Sequence, residues 1–334
     1  MMTNSNAVLL DCTFRDGGYY TNWNFDEDLV NNYYSAVVEA DVDIMEAGYI
    51  SVDALDCGRF KVDNIAGFNF LPIIPGKSWA AMIDSKSIIC LDNWREIITH
   101  ILDKPARPVI GIIRVASKFN QLDHVDQLCD LISSAGYRVV LNLMQIDLAS
   151  EEEVSVAFSK IKKMQSIETV YLADSFGSMT PQRVAELITR LKNTTPANIG
   201  FHAHNNMGLA LINSITALQA GASWIDTTFA GMGRGAGNAA TEELSELIKQ
   251  PGAETPTMDA LLKRHMDALK LSYNWGGGVL YRRAGKKKIH PTYVQSLIGA
   301  GLSVDKVYSL LEKIPIASRS TFNNSLIKAL INEY

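Results

Sequence analysis

The sequence predicts an α/β chain that folds as a (β/α)8 TIM barrel followed by a C-terminal helical appendage. Strand-like apolar runs alternate with helix-like runs, a pattern typical of a parallel sheet with crossover helices. Eight such units occur in about 250 residues, which is the usual size of a TIM barrel. Polar residues that could carry chemistry lie where the predicted strands end, as this barrel requires. An open, doubly wound sheet is the alternative.

The predicted strands are short and rich in apolar residues, and they cover 7–13, 44–47, 79–83, 109–115, 138–144, 169–173, 199–203 and 224–229. The predicted helices between them cover 26–39, 93–102, 122–135, 151–164, 181–192, 209–220 and 239–248. The second helix has no clear pattern, because residues 49–77 contain several glycines and prolines. We expect a long irregular loop with a short helix there.

The last part of the chain reads differently from the barrel. Residues 255–334 contain amphipathic helical patterns, so we predict a barrel domain over 1–250 and a helical appendage over 251–334, beside or above the barrel mouth. The appendage carries a basic cluster of Arg282, Arg283, Lys286, Lys287 and Lys288. It is either a solvated face, an anion site, or an edge that contacts a second copy in a homodimer.

Composition excludes several classes of partner. The net charge of −5 gives no electrostatic argument for binding nucleic acid or an acidic membrane surface. No apolar run approaches the ~20 residues that span a bilayer. The four cysteines are scattered without C-x-x-C spacing, and the N-terminal MMTNSNAVLL lacks the features of a secretory signal. We therefore expect a cytoplasmic protein with reduced thiols.

The densest candidate chemistry lies between residues 200 and 244. His202 and His204 stand two apart on a predicted strand, so their imidazoles point to the same face and can bind one metal ion. The alternative is a pair of ordinary core histidines. A loop with four glycines then leads to Asn238 at the start of a helix. Its GMGRGA segment fits a relaxed dinucleotide-binding pattern, but such a turn normally opens its domain, and this one comes after many strand–helix units.

Other polar residues follow the ends of earlier strands. The alternative interpretations are that Arg15 and Asp16 form a surface ion pair, that Glu46 forms a salt bridge at the barrel rim, and that Asp174 forms a turn or caps a helix. These candidates are Arg15 and Asp16 after strand 1, Glu46 at the end of strand 2, Asn142 and Gln145 at strand 5, and Asp174 and Ser175 after strand 6.

Several segments together resemble the metal-dependent TIM-barrel aldolases, lyases and Claisen-type synthases named for an Asp-Arg-Glu set. These segments are LLDCTFRDGGYY, MEAGYI, NLMQ, LADSFGSMTP, FHAHNNMGLAL and GMGRGAGNAATEEL. The pattern is most similar to the 4-hydroxy-2-oxovalerate aldolase branch. The resemblance implies that Asp16, His202 and His204 bind a divalent metal, that Asn238 is a fourth candidate ligand, and that Arg15 stabilises developing enolate charge.

The implied reaction is the cleavage or formation of a 4-hydroxy-2-oxo acid from pyruvate and an aldehyde. One carboxylate, two imidazoles and an amide suit Mn²⁺, Mg²⁺ or Co²⁺, and Zn²⁺ also fits. The aldolase branch carries a histidine three residues after the metal-binding aspartate, where this chain has Tyr19. Tyr19 is therefore a base or a hydrogen-bond donor, and His290, a metal-bound water or Asp174 are the other candidate bases.

Two other functions stay open at this point. One is a Claisen-type synthase that condenses an acyl-CoA with a 2-oxo acid, as in isopropylmalate synthase, although a long regulatory domain has no room here. The other is a binding module that retains the metal site. In the aldolase likeness the C-terminal helices contact a partner dehydrogenase, but this tail does not clearly match that segment, so no partner is predicted.

Overall fold

In the computed structural model, which describes residues 6–103 and 109–332, eight parallel strands close into a barrel. The strands are β1 (Val8–Asp11), β2 (Ile44–Ile50), a two-residue β3 (Lys61–Val62), β4 (Ser78–Asp84), β5 (Ile110–Lys118), β6 (Arg138–Met144), β7 (Thr169–Asp174), β8 (Asn198–Ala203) and β9 (Trp224–Thr227). The order around the barrel is β1-β2-β4-β5-β6-β7-β8-β9, with β9 paired back to β1 and β3 added at the edge of β2. The predicted TIM barrel is confirmed, and each predicted strand overlaps a barrel strand.

Helices surround the barrel and form the appendage. They are α1 (Thr13–Thr21), α2 (Glu27–Glu39), α3 (Ser85–Ile89), α4 (Trp94–Ile101), α5 (Val125–Ser134), α6 (Glu151–Ile161), α7 (Pro181–Lys192), α8 (Ala210–Ala220), α9 (Thr241–Ile248), α10 (Pro256–Leu261), α11 (Asp267–Tyr273), α12 (Val279–Lys287), α13 (Pro291–Gly299), α14 (Val304–Lys313) and α15 (Asn324–Asn332). None of the helices in the described ranges combines the length and apolar character needed to cross a membrane. Residues 1–5, which belong to the N-terminal segment predicted to lack a secretory signal, lie outside the described residues. The last two residues of the final predicted helix, 333 and 334, lie outside them as well.

The helix that carries Arg15 and Asp16, α1, was not predicted from the sequence. The predicted first strand ran to residue 13, but β1 ends at Asp11 because its carboxylate accepts the backbone N–H of Thr13 (2.9 Å) and starts the helix. The two glycines of RDGGYY allow close packing, since a Cβ on Gly17 would lie 2.5 Å from Met232 Sδ.

The irregular loop predicted over residues 49–77 is present. It contains only β3 and one turn of 3₁₀ helix, Ile65–Phe68, whose first turn is capped by the Asn64 side chain. Residue Gly48 begins this change of direction at a positive φ of 153°, and a Cβ there would lie 1.8 Å from the carbonyl oxygen of Phe60. The loop therefore packs directly against the end of β2.

The barrel interior is layered by chemistry. Its lower part is apolar and includes Leu10, Ile112, Tyr171 and Trp224. Above it lies a layer of charged side chains that are almost fully buried: Glu46, Arg114 and Asp226. Buried charges are costly unless they are paired, so a layer of this kind marks the floor of a polar site at the carboxyl ends of the strands.

The appendage has a core of its own, formed by α12 to α15. In contrast, α10 packs against α2, and Trp275 joins the barrel core and donates its indole N–H to the Ala230 carbonyl (3.0 Å). Within the basic cluster, Arg283 and Lys287 both pair with Glu312, while Lys288 donates to the Asp147 carbonyl (2.6 Å). These contacts tie much of the cluster to neighbouring residues.

Candidate active site and metal centre

A cavity of about 300 Å³ opens at the carboxyl ends of the barrel strands. Its floor and walls come from strand ends and from the glycine loop after β9. Its roof comes from the appendage, through His290 and Pro291 at the start of α13 and through residues 320–322. Access to the site therefore depends on both parts of the chain.

His202 and His204 project from the end of β8 into this cavity with their Nε2 atoms 3.4 Å apart. The Nδ1 of His202 lies 3.0 Å from Asp226 Oδ2, and the Nδ1 of His204 lies 2.9 Å from the Ser175 carbonyl oxygen. Both partners are acceptors, so each Nδ1 carries a hydrogen. In the neutral rings both Nε2 atoms therefore present lone pairs, and a cation between them removes the repulsion between those lone pairs.

Asp16 completes a three-residue donor set. Its Oδ2 lies 3.7 Å from His202 Nε2, and one donor atom from each of Asp16, His202 and His204 lies within 4.8 Å of the others. Burial would raise the pKa of Asp16, but Arg15 and the two histidines lower it to about 2. Burial and the neighbouring His202 lower the pKa of His204 to about 3. The set is thus one carboxylate and a neutral His204, the protonation states that metal binding needs.

Asn238 is held beside this set by the glycine loop. Gly237 adopts a positive φ of 77°, and its missing Cβ leaves room for the Gly231 carbonyl, which accepts the Asn238 N–H (3.0 Å). The Asn238 side-chain amide donates to Asp16 Oδ2 (2.7 Å) and to the Met232 carbonyl (3.3 Å). Its Oδ1 is buried and has no hydrogen-bond partner among the described residues. Asn238 thus orients Asp16 and keeps one oxygen free.

Arg15 lies between two carboxylates. Its Nη1 contacts Asp16 Oδ1, and its Nε donates to Glu46 Oε2 at 2.9 Å. The Nη2 group makes no hydrogen bond to a described residue, and the side chain lines the cavity. The structure therefore brings together Arg15 and Glu46, two separately predicted site residues, and leaves the Nη2 group of the guanidinium for a ligand.

The charged layer continues beneath through Arg114, a residue that the sequence analysis missed. Arg114 Nη1 donates to Glu46 Oε2 (2.8 Å) and Nη2 donates to Asp226 Oδ2 (2.6 Å), the same oxygen that faces His202. Asp226 was missed as well. A charged residue in the middle of each of the apolar runs IGIIRVAS and WIDT was the available signal. Through these contacts the orientation of His202 depends on Arg114.

Tyr19 lies on the cavity wall, where its hydroxyl is 3.0 Å from that of Tyr49. Burial raises the pKa of Tyr49 well above its usual range, so Tyr49 keeps its proton and can donate to Tyr19. Arg234 from the glycine loop lies over the Tyr19 ring, with its Cζ 4.3 Å from the ring centroid. Arg234 is thus a second cation beside this tyrosine, and it was not predicted from the sequence.

Two candidate bases are placed in other roles. His290 lines the cavity, but burial, Arg234 and Lys118 lower its pKa to about 3, and its Nδ1 accepts the Thr292 N–H (3.3 Å). The remaining Nε2 therefore carries the ring hydrogen and can only donate. Asp174 is not among the lining residues, and its two oxygens accept the N–H groups of Ser178 and Met179. It holds the turn after β7.

Comparisons with known proteins agree with this architecture. A family model described as HMGL-like matches residues 114–268. The 4-hydroxy-2-oxovalerate aldolase of Geobacillus genomosp. 3 is 29% identical over 284 residues, which cover 79% of this chain and 82% of that protein. The 4-hydroxy-2-oxovalerate aldolase 2 of Salinispora arenicola is 30% identical over 256 residues, which cover 76% of this chain and 72% of that protein.

A solved structure gives the same result in three dimensions. The crystal structure of the N-terminal domain of a protein assigned as an aldolase in Bacteroides vulgatus superposes with a TM-score of 0.74 and 31% sequence identity. The superposition covers 87% of this chain and 96% of that one. Because the likeness extends over the barrel, both strand-end histidines and the glycine loop, the chain belongs to the HMGL-like family.

Proposed function

We propose that this protein is a divalent-metal-dependent aldolase that cleaves or forms a 4-hydroxy-2-oxo acid, with pyruvate and an aldehyde as the other side of the reaction. The observation that carries the proposal is the convergence of Asp16, His202 and His204, with two facing Nε2 atoms, inside a cavity lined by Arg15. The names of the relatives supply the reaction class.

Asp16, His202 and His204 are the residues that would hold the metal, and Asn238 Oδ1 is the fourth candidate. Three or four protein ligands leave positions open for a bidentate 2-oxo acid, which suits Mn²⁺, Mg²⁺ or Co²⁺, and Zn²⁺ fits as well. Such a cation supplies a Lewis acid for the negative charge that develops on the 2-oxo group. The neutral His204 and ionised Asp16 need no proton release before binding.

Arg15 supplies a fixed positive charge at the same place. Its Nε and Nη1 are held by Glu46 and Asp16, so the guanidinium cannot rotate away from the cavity. The free Nη2 is then available to an oxygen of the substrate. A donor that is already oriented stabilises charge in the transition state without having to reorganise.

Tyr19 is assigned to the 4-hydroxyl group of the substrate. In cleavage the proton of this hydroxyl passes to water, the C3–C4 bond breaks with its electron pair left on C3, the aldehyde leaves, and C3 takes a proton from water as pyruvate forms. The Tyr19 hydroxyl is held by Tyr49 on the cavity wall and can orient the 4-hydroxyl by hydrogen bonding. Phe322 and His290 line the roof and limit the entry of water.

The direct test is pyruvate release from 4-hydroxy-2-oxopentanoate by Mn²⁺-loaded protein, coupled to lactate dehydrogenase. A second test needs no aldehyde: the protein should catalyse exchange of the pyruvate methyl protons in D₂O, observed by NMR. Chelation by EDTA and the His202→Ala, His204→Ala double variant should abolish both signals. Release of CoA thiol from acetyl-CoA and a 2-oxo acid, without either signal, would favour a Claisen-type synthase instead.

The finer points stay predictions of the sequence. These are the identity of the metal, a cytoplasmic location, the absence of nucleic-acid and membrane partners, and the homodimer. The contacts of Arg283 and Lys287 with Glu312 reduce the charge that the basic cluster could offer to another subunit.

A further inference from the structure

Two cations line the cavity without a carboxylate partner among the described residues. Lys118 is the last residue of β5 and is half-buried, and no ion pair or side-chain hydrogen bond occupies its ammonium group. Arg234 is also half-buried, and its guanidinium lies over the face of the Tyr19 ring. Neither cation takes part in the Arg15–Glu46–Arg114 network described above. Partly desolvated charges of this kind are stabilised when an anion binds them.

The position of Lys118 relates it to the far end of a substrate. Three strands separate β5 from β9 in either direction around the barrel, so β5 lies opposite β9. Two of the metal-ligand candidates are close to β9: Asp16 follows β1 and His202 lies on β8, and both of these strands pair with β9. Lys118 therefore stands across the mouth from the metal centre, while Arg234 comes from the loop after β9.

His290 lies near both cations in the roof. Burial lowers its pKa, and the charges of Arg234 and Lys118 lower it further, as expected if both approach the same imidazole. Its Nε2 is left as an N–H donor because Nδ1 accepts from Thr292. The three side chains thus offer two charges and one neutral donor to the same part of the cavity.

The cavity lining carries little negative charge to neutralise these two cations. Asp84, at the end of β4, is the single carboxylate among the described lining residues. Burial raises the pKa of Asp84, and its Oδ1 accepts the backbone N–H of Lys86 (3.0 Å) at the start of α3. It therefore offsets only part of the charge of Lys118. Arg234 has no acidic neighbour among the described lining residues, although its charge also helps to lower the pKa of Asp16 at the metal centre.

We propose that the aldehyde half of the substrate carries an anionic group, a carboxylate or a phosphate, which Lys118 and Arg234 bind beside His290. This inference rests on the proposed function, because it assumes that the pyruvate half occupies the metal centre. The apolar lining residues Met82 and Met144 would then contact the carbon chain between the two charged ends. A substrate charged at both ends differs from one with a short neutral aldehyde.

The test compares matched aldehydes in condensation with pyruvate. Succinic semialdehyde is paired with butanal, and glyceraldehyde 3-phosphate with glyceraldehyde, so the two pairs distinguish a carboxylate from a phosphate. In at least one pair the wild-type kcat/KM should favour the anionic member by about tenfold or more. Lys118→Met should lower that preference by about 10- to 100-fold, as expected for loss of one charge-assisted contact. Lys162→Met is the matched control, because Lys162 is exposed outside this cavity, and it should leave the ratio unchanged.

Proton exchange of pyruvate in D₂O distinguishes a failure of the proposed function from a failure of this inference alone. If exchange is absent, the proposed function is wrong and the inference falls with it. If exchange occurs but neutral aldehydes are equal or better in both pairs, only the inference is overturned. An anionic preference that survives in both Lys118→Met and Arg234→Met would also overturn it, since the anion would then bind elsewhere.

Discussion

The Nε2 atoms of His202 and His204 face each other at a distance of 3.4 Å. The Nδ1 atoms of the two rings donate to Asp226 and to the Ser175 carbonyl, so in a neutral ring the Nε2 atom carries no hydrogen. A neutral pair of rings in this geometry directs two lone pairs at each other. Asp16 Oδ2 lies 3.7 Å from the same His202 nitrogen, so one donor atom from each of three residues converges on the same place. A cation at this point would satisfy all three groups.

The first prediction concerns metal content. His202→Ala, His204→Ala and Asp16→Asn should each reduce Mn²⁺ affinity by more than about a hundredfold, since loss of a direct ligand exceeds the roughly 10- to 100-fold cost of losing a supporting partner. Asn238→Ala should have a smaller effect, because a neutral amide is the weakest of the donors. Elemental analysis after dialysis measures the occupancy. The exposed His100→Ala is the control, and full occupancy in all three ligand variants would rule out this site.

The second prediction separates charge from geometry at Arg15. Arg15→Lys keeps a cation but cannot contact Asp16 and Glu46 while also offering a third donor to the substrate. At saturating metal, kcat should fall about a hundredfold or more, the usual cost of one oriented donor. Arg190→Lys on the outer face of α7 serves as the control. Unchanged kcat in Arg15→Lys would show that Arg15 is only a structural ion pair.

The third prediction concerns Asp226, which never reaches the cavity lining. Asp226→Asn should weaken metal binding by about 10- to 100-fold, because the amide holds the His202 ring less strongly and leaves Arg114 without one of its carboxylates. The kcat at saturating metal should change less than the affinity does. Titration of the metal-free variant with Mn²⁺ measures the effect. An unaltered affinity would mean that packing alone orients His202.

The barrel was predictable because each of its strands is a short apolar run and the runs alternate with helices. The paired histidines were also visible, since residues two apart on a strand share a face. The failures have a physical pattern. The helix α1 was missed because Gly17 and Gly18 resemble turn residues, whereas here they allow Met232 and Trp23 to pack against the helix backbone.

The hidden part of the site depends on contacts distant in sequence. Arg114 meets Asp226 across 112 positions of the chain and Glu46 across 68. No local period connects such residues, so only their charge within apolar strands indicated a role. Asp174 shows the reverse case, because a carboxylate at a strand end looked catalytic but binds the backbone of its own turn.

The fourth prediction is a pH dependence that comes from His290. Its pKa is lowered from 6.5 to about 3 in the folded protein, so below pH 6.5 the unfolded chain binds a proton that the folded chain does not. Stability from this group is complete above pH 6.5 and is lost as pH falls towards 3. His290→Asn preserves a helix-capping acceptor but removes the titration. Between pH 6.5 and 5 the His290→Asn variant should lose up to about 2 kcal/mol less of its unfolding free energy than the wild-type protein does. Urea unfolding at both pH values measures this, and identical losses for both proteins would contradict the assignment.

The fifth prediction addresses Tyr19, where the chain departs from the histidine of the aldolase branch. The ring is 38% exposed, and its hydroxyl is paired with the neutral hydroxyl of Tyr49, which suits a group that positions the 4-hydroxyl of the substrate. Tyr19→Phe keeps the ring beneath Arg234 and removes one neutral hydrogen bond, so kcat/KM should fall only several-fold, on the order of 1 kcal/mol. Tyr49→Phe removes the partner hydroxyl and should have a similar or smaller effect. The pH–rate profile decides between the two roles: a positioning group leaves its shape intact. Loss of a basic limb in Tyr19→Phe, together with most of the rate, would show instead that Tyr19 takes the proton and that Arg234 stabilises its ionised form.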